Sequence, residues 1–338
     1  MLTTPASLSS APYFLTAGGA IALSVGAQHS MTLASTGTNA VSSNDGNISL
    51  TADTLNINQG VNAGSTGNVL IQPVTAGQPI SLGTATGGLN LTSAELNLVT
   101  AKNLTIGNAS AGFVTLGGTV KPTNVTNLTI TTGGNFTATS GSGLGATGGT
   151  VTINFGQNGL GATADLTNVA FSSTNFVIGG SGNDTFIPNP ATISTFTGGG
   201  GTDTFKGTAT QLTLDTITDI SSGDKIVITD GNLAHFSYHL NGSTLSFDPD
   251  TSISQTFGTL TLSNAPLGHF IASADPVSGV DLTYYESPPS DFTGNGFSDL
   301  LWQNNNGTPA IWEMNGTSVI GNAALSNPGS SWHLIHGL

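Results

Sequence analysis

Between residues 18 and 165, short apolar pairs recur, each pair flanking one residue that is usually small or polar: Ile48/Leu50, Leu55/Ile57, Val69/Ile71, Ile80/Leu82 and Leu89/Leu91. The series continues with Leu96/Leu98, Leu104/Ile106, Val114/Leu116, Leu128/Ile130 and Val151/Ile153. A spacing of two is the strand period, which turns both apolar side chains to one face. Gly and Asn clusters between the pairs supply the turns. The pairs opening at Ile48, Val69 and Leu89 lie 21 and 20 residues apart, and Leu128 to Val151 spans 23. A period near 20 with strands this short predicts one solenoid turn per repeat, stacked at about 4.8 Å, with apolar residues in the bore. Thr, Ser and Asn then line the outside. A β-sandwich is the competing architecture, although its strands are usually longer and joined by hairpins.

Composition narrows the class. With 37% hydrophobic residues the chain is too apolar to be disordered, and with 47 Gly and many Thr, Ser and Asn it is too poor in helix formers for a bundle. The class is all-β. Four Lys and no Arg face 18 carboxylates, for a net charge of −14, so nothing neutralises phosphates and neither nucleic acid nor an anionic membrane surface is an expected partner. Only Asp45, Asp53, Glu95 and Asp165 fall in the first 165 residues. The acids crowd into the Gly-rich remainder, which would repel itself unless something positive binds there.

There is no Cys, which excludes disulfides and thiolate metal sites. The best apolar stretch, Tyr13 to Val25, is broken by Thr16, Gly18 and Gly19 and lacks a basic flank. It reads neither as a membrane span nor as a signal peptide. The expectation is a segment of a larger exoprotein, or export without an N-terminal signal.

Two nonapeptides carry the candidate chemistry. Gly179-Gly180-Ser181-Gly182-Asn183-Asp184-Thr185-Phe186-Ile187 and Gly198-Gly199-Gly200-Gly201-Thr202-Asp203-Thr204-Phe205-Lys206 both fit the pattern G-G-x-G-x-D-x-U-x. Glycines let backbone carbonyls curl toward one centre, Asp supplies charge, and the apolar residue plugs the core. Oxygen-only ligands suit a hard cation, Ca²⁺ above all. The expected ligand positions are Gly180, Gly182, Asp184, Gly199, Gly201 and Asp203. Asp184 and Asp203 are 19 residues apart, close to one turn, so the two loops are expected to share an ion. Pro188 to Phe196, on the opposite side, has lost the motif and is expected to bind nothing. Asp215, Asp219, Asp224 and Asp230 read as solvated turn and strand-edge acids.

After the linker Ser287-Pro288-Pro289-Ser290 a second loop, Asp291-x-Thr293-x-Asn295-Gly296-x-x-Asp299, places oxygens at positions 1, 3, 5 and 9, with the Phe297 carbonyl at 7. That is EF-hand-like spacing, but Trp302 stands where the bidentate Glu would be. Asp291, Thr293, Asn295, Phe297 and Asp299 are therefore expected to hold calcium weakly, in the range of about 10⁻⁴–10⁻³ M.

These segments resemble known families. ISLTADTLNINQGVNAGSTGNVLI and LNLTSAELNLVTAKNLTIGNASAGFVTLGGTV resemble repeats of filamentous haemagglutinin-type exoproteins, over roughly residues 15 to 160. The nonapeptides and the segment GTATQLTLDTITDISSGDKIVITDGNLAHFSYHLNGSTLSFD resemble haemolysin-type (RTX) calcium-binding exoproteins. The last fifty residues resemble part of an FG-GAP/VCBS-type repeat, a propeller-blade unit. The resemblances imply a right-handed parallel β-helix over 1–165, an RTX-like β-roll over 166–232, an antiparallel β cap over 233–286 and a blade-like unit over 287–338. They also imply type I secretion, an extracellular or cell-surface location, and folding coupled to calcium.

Catalysis finds little support. Lyases on this fold type lean on Arg or Lys, and the four Lys here are scattered. Asp248 and Asp250 flank a Pro and read as a turn; His235 and His239 read as sheet residues without a third metal ligand. The expectation is a non-catalytic structural or adhesive solenoid whose partners are cell-surface or matrix glycans or proteins, together with calcium. The alternative is a carbohydrate-binding region of a secreted polysaccharide-active enzyme, with Trp302, Trp312 and Trp332 as stacking surfaces.

Overall fold

A computed structural model describes residues 2–4, 8–9, 15–84, 86–156, 159–253, 257–288, 290–292, 296–303 and 308–324. The chain is nearly all-β and forms a parallel β-solenoid of about nine turns, with a small antiparallel sheet near the C-terminus. One long sheet stacks Ile21–Val25, Ile48–Thr51, Asn68–Gln72, Val99–Gly107, Val125–Thr131, Thr150–Asn154, Thr174–Ile178, Thr195–Thr197 and Thr216–Ile217. A second stacks Ile80–Gly83, Val114–Gly117, Phe136–Ala138, Thr163–Asp165, Thr185–Ile187, Thr204–Gly207 and Lys225–Ile228. Both sheets run across residue 165 without a break: Ala164 lies between Phe136 and Phe186 in the second sheet.

The alternating pattern is what drives this stacking. In the first sheet Ile48, Val69, Leu104, Leu128 and Val151 align in one inward rank, each essentially unexposed. Burying each such side chain stabilises the fold by about 1.5–3 kcal/mol. Farther along, Phe155, Phe186, Phe196 and Phe205 fill the bore, with Phe186 and Phe205 stacked at 5.1 Å. Outside, Asn47, Asn68, Asn103 and Asn127 form an amide ladder. The Nδ2 of each of the last three donates to Oδ1 of its predecessor at 2.9, 2.6 and 2.8 Å.

The turn lengths differ from the simple period. Val69 pairs back to Ile48, 21 residues away, but forward to Leu104, with 35 residues between these turns. Leu89–Leu91 does not continue the first sheet; it pairs with Ile80–Gly83 in the second. Leu96/Leu98 is not a strand: Ser93–Leu96 is one helical turn, and Leu98 is exposed. Thr92 and Glu95 close a capping box there, and Thr208 and Gln211 close another before Ala209–Leu212.

The solenoid ends under an antiparallel unit. Gly258–Leu262 continues the first sheet in parallel, then Thr244–Asp248 and Ser237–Asn241 add to it antiparallel. Val280–Glu286 and Gly268–Ala274 add to the second sheet in the same way, so neither sheet ends on its last parallel solenoid strand. Leu300–Gln303, Pro309–Asn315 and Ser318–Ala324 form a separate three-stranded antiparallel sheet.

Candidate metal centre

The two nonapeptides fold as consecutive turns of the second sheet, with Thr185 beside Thr204 and Phe186 beside Phe205. The sequence demands glycine here for two reasons. Gly199 and Gly201 lie at φ +93° and +105°, the left-handed region that side chains disfavour. A Cβ on Gly182 would meet the backbone of Leu160 and Gly161 in the turn before. Gly180 lies in a close stack as well, its carbonyl accepting from Gly200 N at 2.9 Å.

Asp184 and Asp203 are thereby set one turn apart, both buried. Their carboxylates serve as backbone caps. Asp184 Oδ1 accepts from Ala162 N at 2.7 Å and its Oδ2 from Gly180 N at 2.6 Å. Asp203 Oδ1 accepts from Asp184 N at 2.8 Å. The ladder has a third rung: Asp224 Oδ1 accepts from Asp203 N at 2.7 Å and its Oδ2 from Ser221 N at 2.7 Å. Each carboxylate thus closes an N–H of the turn before its own.

The reading of the following acids as solvated needs correction. Asp224 is 1% exposed and Asp215 is fully buried. Asp219 caps Gly198 N and Gly199 N at 2.7 and 2.8 Å. Asp230, which is exposed, caps Ala209 N at 2.9 Å. Buried backbone donors need acceptors, and a short carboxylate at a solenoid corner reaches back one turn to supply one. A sequence signal was present: Asp203, Asp224 and Asp184 precede a strand residue at near-turn spacing, just as the nonapeptide Asp does.

Stacked buried carboxylates carry an electrostatic load. Burial first, then the charges of Asp224, Asp184 and Asp219, raises Asp203 to about 7 against the stabilising bond from Asp184 N. Burial likewise raises Asp184 and Asp224. Asp215 is pushed up to about 8 by burial, with one opposing bond from Ser194 N. Asp53 in the first half shows the opposite balance. Burial raises it, but bonds from Gln28, Thr75 and Val74 outweigh that and hold it below the ordinary value.

In donor chemistry the nonapeptide loops suit calcium, since every available ligand is oxygen. In coordination they fall short of a preformed cage. Both oxygens of Asp184 hold backbone N–H groups, and among the described residues no three His, Cys, Asp or Glu side chains converge on a metal-sized centre. An ion between the Asp184 and Asp203 turns would draw on the remaining carboxylate lone pairs and on backbone carbonyls.

In the C-terminal loop, Thr293 and Asn295 lie outside the described residues. Asp291 Oδ2 accepts from Gly296 N at 2.9 Å, and Phe297 is exposed. Asp299 is buried, its two oxygens accepting from Phe292 N at 2.9 Å and Met314 N at 3.0 Å, which ties the loop to Pro309–Asn315. Asp250 N donates to Asp248 Oδ1 within a turn that Asn232 and Ser252 also hold. Trp302 and Trp312 lie 4.8 Å apart, 47% and 39% exposed.

No family model, no curated protein and no solved structure matches the chain.

Proposed function

We propose that this chain is a structural or adhesive β-solenoid of the cell exterior whose C-terminal turns are stabilised by calcium. The observation that carries the reading is the buried carboxylate ladder Asp184–Asp203–Asp224, which places like charges one turn apart. Among the described residues one ion pair is formed, Lys225 with Asp281 at 3.4 Å, and it does not involve the ladder. A divalent cation between turns would offset the repulsion, and millimolar calcium outside the cell would supply it. The elongated stack with its outward amide and hydroxyl ladders suits a spacer or contact surface. The larger surface recess, about 390 Å³, is lined by residues such as Ala22, Asn47, Ser49, Asn68, Leu70 and Thr105, none of which titrates.

Retention of the purified chain on cell layers and immobilised glycoproteins, with calcium and then with chelator, tests this reading. Calcium-dependent retention is expected; no retention on any surface in either buffer would refute the adhesive part. A glycan-binding role is the second reading, favoured by the exposed Trp302–Trp312 pair. Glycan-array binding that falls at least tenfold in Trp312→Ala would select it.

A further inference from the structure

The inward rank of the first sheet changes character after Val151. Ile48, Val69, Leu104, Leu128 and Val151 are followed in the same register by Asn175, then Ser194, then Asp215, before Leu260 restores an apolar residue. The three are 3%, 1% and 0% exposed. Each keeps one oxygen without any hydrogen-bond partner: Asn175 Oδ1, Ser194 Oγ and Asp215 Oδ2. Unsatisfied buried polar atoms are costly and rare, and three in consecutive turns of a rank otherwise made of Ile, Leu and Val call for an occupant.

The free oxygens are held in place. Asn175 Nδ2 donates to Ile193 O at 2.9 Å, and Asp215 Oδ1 accepts from Ser194 N at 2.7 Å. The side chains above and below therefore clamp the same peptide unit, Ile193–Ser194, with their second oxygens left over on either side of it. Ser194, the shortest of the three, leaves space between them. Thr192 Oγ1, two residues away, is also buried and unpartnered, and it lines a recess of about 340 Å³ with Ile193, Thr213 and Leu214 that gives access from the surface.

We propose that Asn175, Ser194 and Asp215 form a binding site for a hard, oxygen-seeking cation inside the solenoid. The donors are oxygen only, and Asp215 supplies the single negative charge, which an alkali ion would neutralise and calcium would overcompensate. A proton on Asp215 alone leaves Asn175 Oδ1 and Ser194 Oγ unsatisfied. The site lies at the side of the turn where the nonapeptide pattern is absent, so it does not depend on calcium at Asp184 and Asp203.

The test is the melting temperature of the full chain, stripped with chelator in choline buffer and then given sodium, potassium or calcium at constant ionic strength. The wild type is expected to rise by about 5 °C at a hundredfold excess over the dissociation constant. The double variant Asp184→Asn/Asp203→Asn retains that rise, and Asp215→Asn loses it; the effective salt identifies the ion. The triple variant Asn175→Val/Ser194→Ala/Asp215→Leu restores the apolar rank and is expected to melt no lower than the stripped wild type and to ignore all three ions. A wild type indifferent to every cation, or an Asp215→Asn variant that responds equally, overturns the site. Should Asp215→Asn not fold, wild-type crystals soaked in rubidium or terbium decide the matter. An anomalous peak beside Asp215 Oδ2 supports the site, and a water or no peak there overturns it.

Discussion

The first half of the solenoid and its C-terminal turns solve one backbone problem with different chemistry. In the first half, turn meets turn through neutral groups, as in the Asn47–Asn68–Asn103–Asn127 ladder. Its one buried acid, Asp53, receives four hydrogen bonds and is comfortable ionised. In the C-terminal turns the caps are carboxylates with one to three donors each, stacked on one another and raised by burial. The number of donors per carboxylate, set against its burial, decides whether an acid stabilises a turn unaided or makes it depend on protons or cations.

Substitutions in the two regions would sharpen this contrast. The largest effect is expected from Phe186→Ala, which removes a ring packed against Phe155, Phe196 and Phe205 and costs about 3–5 kcal/mol in denaturant unfolding. Asp203→Ala leaves the buried Asp184 N–H without its acceptor and is expected to cost about 1–3 kcal/mol at acidic pH. At pH 8 without cations the cost should shrink, because the lost group is then a repelled charge. Asn103→Ala breaks the neutral ladder at a cost of about 1 kcal/mol, the same at both pH values.

pH separates the regions by sign. The folded-state values of Asp203 and Asp215 lie near 7 and 8, above the ordinary 3.8, so their stabilising contribution is complete below about pH 4 and is lost as pH rises through 7 and 8. Asp53 is lowered, so its contribution is present above the ordinary value and disappears as pH falls through the depressed one. Hydrogen exchange corrected for intrinsic rates should therefore show the C-terminal turns opening more readily at pH 8.5 than at pH 5, with the first half indifferent over that interval. Asp215→Asn should flatten part of that slope; an equal slope in both halves would break the comparison.

Much of the fold was legible in the sequence because strand alternation survives divergence: nine of the ten apolar pairs lie in strands. The tenth, Leu96/Leu98, was concealed by a capping box, although Thr92-x-x-Glu95 spells one. The excursion at Leu89–Leu91 was not legible, because an alternating pair does not say which sheet it joins. The acids were misread for a related reason. Asp215 and Asp224 look like surface residues until register shows that they align with Ser194 and Asp203 of the turn before. Burial is a property of register, and register emerges once turns of unequal length are stacked.

The account turns on the C-terminal turns needing positive charge that the chain does not itself provide. Hydrogen exchange of the wild-type chain at pH 8, first in chelator and then through a calcium titration, tests this most directly. Protection across residues 162–228 is predicted to rise at least tenfold with calcium while residues 21–154 stay unchanged. Full protection of residues 162–228 in chelator, unaltered by calcium, would contradict it.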